Sequence, residues 1–183
     1  SGCANPVRPS SAQDVVTVIG GWPEGTRLML GFALDTSSPD RLQEELSTAG
    51  FTRGLVVKKN GLQRTAQSVR LDELSTEPSL KETPVSGDRD LRVIVDRVVA
   101  GRTERARMTE SLETCIRHRE GRCVVLRELL DSDETADSQA ERFLVDGQLW
   151  DVARFSNHLE CTSCNRVFQK PTPQLLSFHS PAG

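Results

Sequence analysis

The run Leu91–Ala100, LRVIVDRVVA, constrains this chain more than any other stretch. Its β-branched residues give it strong strand character. Strict alternation fails along it: Val93, Ile94, Val95, Val98 and Val99 place apolar groups on both faces, as in a strand covered on both sides. Asp96 and Arg97 interrupt the run with a charged pair. Two readings stand side by side. Either the strand leaves the core there and both charges are solvated, since Asp and Arg are seldom buried without partners, or Arg97 projects from a rigid strand as a recognition group.

The flanks supply the other elements. Ser10 or Ser11 caps a short helix with Val15, Val16 and Ile19 on one side, stopped by Gly20, Gly21 and Pro23. Thr26–Leu34 reads as a strand. Ser38-Pro39-Asp40 opens a second helix carrying Leu42 and Leu46, with Gly50 just past its end. Phe51–Lys58 is a strand and Asn60-Gly61 a hairpin turn, with a return strand over 62–71. Residues 75–90 lack periodicity and read as a surface loop. Arg105–Arg119 is the clearest helix, with Met108, Leu112, Cys115 and Ile116 in one apolar stripe. Cys123–Leu130 returns as a strand, 131–141 is an acidic loop, and 142–150 forms a hairpin about Asp146-Gly147. The predicted fold class is α+β: a mostly antiparallel sheet with two main helices packed on one face.

Composition excludes several functions. A formal charge of −3 argues against an autonomous nucleic-acid binder. No apolar run approaches the roughly 20 residues of a membrane helix. Five cysteines, an odd number without a regular framework, point to a reducing compartment. Cys115 and Cys123 read as plain core residues. Cys161 and Cys164 form a C-x-x-C pair, half of the four ligands a structural zinc site needs, and neither His158 nor His179 adds a familiar spacing. There is no G-x-x-x-x-G-K-[ST] phosphate loop and no catalytic constellation, so no catalytic residue is assigned.

Several separate motifs, in order, carry a family resemblance. They are Gln13-Asp14-Val15-Val16, Pro23 to Leu30, Ala49-Gly50-Phe51-Thr52-Arg53, the VIVDR of 93–97 and Ser111-Leu112-Glu113-Thr114. The tail adds Phe155-Ser156, Cys161, Cys164, Pro173, Leu176-Ser177-Phe178, Ser180-Pro181 and Gly183. The chain resembles the bacterial UvrA family, the damage-recognition ATPases of the ABC excinuclease.

That resemblance implies a piece of a larger protein. Residues 1–24 would belong to its ATPase and signature framework. Residues 25–155 would form the UvrB-binding domain, and 156–183 an extended zinc-hairpin arm, truncated, that returns to the framework. It implies Arg53 and Arg97 as the residues that dock UvrB, and Cys161 and Cys164 as half of a zinc site whose other ligands lie beyond Gly183. The parent would be a cytoplasmic, homodimeric ABC-type ATPase of nucleotide excision repair and the SOS response. It would use ATP with Mg and zinc and bind damaged double-stranded DNA, while the fragment itself needs no cofactor. The pattern departs at Ser37-Ser38-Pro39-Asp40, where the family has a basic turn, at Asn165, where it has Gly, in the longer acidic loop, and at Cys3-Ala4-Asn5-Pro6. The alternatives are a zinc-ribbon-like nucleic-acid-binding module, which would need more positive charge than Arg166 and Lys170 supply, or a divergent paralogue that has lost UvrB binding. For the two arginines, the structural alternative is pairing with Asp96 or Glu44 inside the domain.

Overall fold

A computed structural model describes residues 7–34, 39–60, 63–76, 89–129, 141–161 and 166–168. Helix α1 (Ala12–Gly20) begins where expected: the Ser11 side chain accepts from the Asp14 N–H, and Asp14 in turn accepts from the Ser11 N–H, a reciprocal cap. Strand β1 (Arg27–Leu34), helix α2 (Pro39–Thr48), strands β2 (Arg53–Asn60) and β3 (Gln63–Arg70) follow, then a 3₁₀ turn over Leu71–Thr76. The central strand is β4 (Arg89–Val99), ahead of helix α3 (Arg105–His118) and strands β5 (Arg122–Glu128), β6 (Glu141–Val145) and β7 (Gln148–Ser156). Asp146 and Gly147 both have positive φ, 48° and 87°, as a two-residue hairpin turn between β6 and β7 requires. Of the loops expected over 75–90 and 131–141, the ends are ordered elements instead: Ser75 and Thr76 finish the 3₁₀ turn, Arg89 and Asp90 open β4, and Glu141 opens β6. Residues 77–88 and 131–140, and Gly61 of the other turn, lie outside the described residues.

The α+β class holds, but the sheet is not open. Its seven strands close into a barrel in the order β1-β4-β2-β3-β6-β7-β5. All pairings are antiparallel except β3 with β6, which run parallel and close the ring through Thr65 opposite Leu144 and Ala66 opposite Val145. Closure explains why β4 is apolar on both faces. Alternate residues fill the lumen, where Met29, Leu55, Val57, Ile94, Leu126, Phe143 and Trp150 pack together. The opposite faces of the strands carry Leu28, Leu30, Phe32, Val93, Val98 and Val125 against the buried stripes of α1 and α3. Three helices, not two, accompany the sheet, and Leu46 of α2 joins the same outer core.

Burial pushes up both core thiols, Cys123 to about 12, so they are packing groups at neutral pH. No helix among the described residues is long and apolar enough to cross a membrane. No distinct C-terminal arm is seen among the described residues of 156–183: β7 stops at Ser156 and a bend follows.

Candidate functional site

The site begins with a defect in β4. Leu30 on β1 opposes Asp96, while the next residue, Gly31, opposes Ile94. Val95 is therefore an extra residue, a β-bulge. Bulges re-aim the side chains beyond them. Ile94 points into the lumen; Val95 packs towards the outer core, and Asp96 turns out towards α3. Arg97, opposite Met29, is returned to the inner face. In an uninterrupted strand, residues three apart face opposite ways, and Arg97 would point at α3. Gly31 permits the bulge, since an added Cβ would run into the Val93 carbonyl oxygen.

The other strands bring inner-face residues to the same end of the barrel. Arg53 precedes Leu55 and Val57 on the lumen face of β2, and it opposes Ile94 on β4. At ~3.3 Å per residue along a strand and ~4.8 Å between strands, the Arg53 and Arg97 backbones lie about 10 Å apart. Arg27 and Met29 come from β1, Ser68 and Arg70 from β3, Glu128 from β5 and Trp150 from β7. This open mouth holds a cavity of about 290 Å³, with Arg27, Ser68, Arg97, Glu128, Asp146 and Trp150 among its walls; Arg53 and Arg70 lie at the same end but outside its lining.

Most polar groups here are already engaged. The Arg27 guanidinium forks onto the buried Glu128 carboxylate, which raises the arginine above its ordinary value. Asp146 accepts from the Ser68 hydroxyl at 2.6 Å, and Gln148 donates to the Leu129 carbonyl at 2.8 Å. Arg70 is held by Asp72. Asp96 is committed away from the mouth. It accepts from Arg107 Nε at 3.0 Å and Nη2 at 2.7 Å, from the Ser111 hydroxyl at 3.0 Å, and from the Arg97 backbone N–H at 2.8 Å. Partial burial pushes the Asp96 carboxyl up, but these hydrogen bonds outweigh it and hold the group below its ordinary value.

Two cations remain. Arg53 and Arg97 are exposed, and neither side chain has a hydrogen bond or ion pair among the described residues. Internal pairing with Asp96 or Glu44 is not what the structure shows. The mouth also holds a group that sequence reasoning missed. Trp150 is 8% exposed, and its indole N–H is buried without an acceptor among the described residues. Alternation about the Asp146-Gly147 turn, with Phe143 and Val145 on one arm and Trp150 and Val152 on the other, was the signal that could have placed it inside. At the other end of the barrel, Glu141 is gripped between Arg64 and Arg154.

The cysteine pair lies elsewhere. Cys161 is buried, and its N–H donates to the Arg166 carbonyl at 2.9 Å. With the Glu160–Val167 bridge, this makes a short antiparallel pair. Cys164 lies outside the described residues. Glu160 is fixed by a two-point contact from Arg122, which lowers its carboxyl, and the His158 ring lies 2.6 Å from the Glu120 carbonyl. The bend after Ser156 directs His158 there. Among the described residues, no three His, Cys, Asp or Glu side chains group as a metal site. One thiol does not complete a tetrahedral set.

The sequence profile of the UvrA interaction domain matches residues 11–128. The chain belongs to the UvrA interaction domain family. Curated relatives agree along the chain. It is 25% identical over 181 residues to the UvrABC system protein A of Agrobacterium fabrum, covering 97% of this chain and 17% of that protein. The Streptomyces coelicolor protein of the same name is 26% identical over 184 residues, with 99% and 15% covered. That of Treponema pallidum is 24% identical over 181 residues, with 99% and 17% covered. The chain thus spans about a sixth of the length of these relatives. In this UvrA interaction domain the matched segment runs from the α1 cap through β5, so it includes the bulge, Arg53 and Arg97. The β6–β7 hairpin that brings Asp146 and Trp150 to the mouth follows it.

Proposed function

We propose that this domain docks UvrB through the open mouth of the barrel, with Arg53 and Arg97 as the charged contacts. The observation that carries this is the contrast at the mouth. Arg27, Arg70 and Asp96 are engaged, whereas Arg53 and Arg97 share a face and have no partner among the described residues. A guanidinium offers planar, two-point binding to a carboxylate, and arginine is enriched among residues that dominate interfaces. Rigid strands hold both backbones, so the ordering cost on binding is confined to the two side chains. The resemblance extends the proposal to the parent: an ABC-type ATPase of nucleotide excision repair that uses ATP with Mg and binds damaged DNA. There residues 25–155 are the docking unit, the flanks join the ATPase framework, and Cys161 and Cys164 are half of a zinc site. The chain itself carries out no catalysis.

The test is calorimetric titration of the chain with UvrB from the same organism. Arg97→Glu should weaken binding by about 2–5 kcal/mol if a desolvated charge pair is broken. Its melting temperature should stay nearly unchanged, because the side chain it replaces has no hydrogen bond or ion pair to lose among the described residues. Full retention of affinity would end the proposal, and so would a loss explained by unfolding.

A further inference from the structure

We propose that Trp150 is a second anchoring donor of the mouth, its indole N–H reserved for a carboxylate side chain that the docked partner inserts beside Arg97. This rests on the docking reading above. Trp150 lies on the inner face of β7, opposite Glu128 on β5 and Phe143 on β6. Buried donors in folded proteins are paired in the great majority of cases, and an exception calls for a reason. The nearby wall carboxylates do not supply an acceptor: Glu128 is held by Arg27, and Asp146 by Ser68.

Among the described residues no acceptor reaches this N–H, and the docked partner is the one this proposal assigns. The cavity of about 290 Å³ sits at the small end of ligand-sized pockets, which begin at roughly 300 Å³. That is room for one inserted side chain, not for a folded segment. Among the described residues its wall carries a single cation without a partner, Arg97, which selects an anionic group over a neutral amide. Tryptophan and arginine are also the residue types that most often dominate binding at the centre of an interface. The competing occupant is a water molecule, which would satisfy the N–H without any partner.

The chain has two tryptophans, Trp22 and Trp150. Indole-¹⁵N-labelled chain would be titrated with UvrB, Trp22→Phe assigning the two N–H signals. The Trp150 signal should move downfield and exchange more slowly with water on binding, while that of Trp22 stays in place. Trp150→Phe keeps an aromatic ring but removes the donor. It should weaken UvrB binding about tenfold, the loss expected for a hydrogen bond to a charged group. Its melting temperature should not fall for want of a hydrogen bond, since the N–H has no acceptor among the described residues. If Trp150→Phe binds like the parent and the indole signal does not move, while Arg97→Glu abolishes binding, docking stands and the Trp150 proposal is wrong. If neither substitution changes affinity, the docking reading itself fails. Should Trp150→Phe lower the melting temperature through lost packing, the indole signal of the unaltered chain decides alone.

Discussion

Asp96 gives the sharpest energetic test, because it faces away from the mouth and yet holds the bulge that aims Arg97. Replacing it with alanine removes the acceptor of four hydrogen bonds, from Arg107 Nε and Nη2, the Ser111 hydroxyl and the Arg97 N–H. The Arg107 fork is solvent-screened and adds nothing to the sum. The other two bonds are worth about 1 kcal/mol each, so Asp96→Ala should cost about 2 kcal/mol and Asp96→Asn, which keeps one acceptor oxygen, about 1 kcal/mol. For a chain of this size that is a fall in melting temperature of roughly 4–8 °C for alanine. Urea unfolding followed by tryptophan fluorescence reads both variants. Because the folded carboxyl lies below its ordinary value of 3.8, its stabilisation is present above that value and lost as pH falls through it towards the lower folded value. The gap between parent and Asp96→Asn should therefore be complete at about pH 6 and close on acidification below about pH 4. Asp96→Ala should also weaken UvrB binding. A cost under about 0.5 kcal/mol, the level of an ordinary surface change, would refute the reasoning, as would a gap that persists in acid.

Two further outcomes follow from the same structure. Gly31→Ala should destabilise by about 3 kcal/mol in urea unfolding, because the added methyl meets backbone rather than a side chain that can swing away; a neutral effect would mean the bulge is not packed as described. Chelation with EDTA should leave the melting temperature unchanged, since the two apolar clusters of described residues do not include Cys161; a drop of several degrees would show that metal supports the barrel.

What was legible in the sequence was local. The Ser11 cap, the stripe Met108-Leu112-Cys115 and the Asp146-Gly147 turn each depend on residues within a few positions of one another, and all three are found. The bulge was half visible: the failure of alternation across Val93–Val95 was plain, but its cause is the register with β1, more than 60 residues earlier. Barrel closure was invisible for the same reason, since Thr65 and Leu144 meet without any turn signal linking them. At the mouth, the motif resemblance singled out Arg53 and Arg97. Their common face depends on the bulge, and the Trp150 N–H is exceptional only once every neighbouring acceptor has been accounted for.

The parallel junction of β3 with β6 has a consequence for solubility. Only two residue pairs join these strands, against eight between β2 and β3. A closed ring presents no unsatisfied edge to other chains, whereas an open sheet presents two. Here the ring depends on its shortest ladder, supported by the Ser68–Asp146 contact beside it. Amide hydrogens of β6 should therefore exchange ahead of those in β2 and β4. Each such opening exposes two strand edges at once, and self-association of this domain would start there.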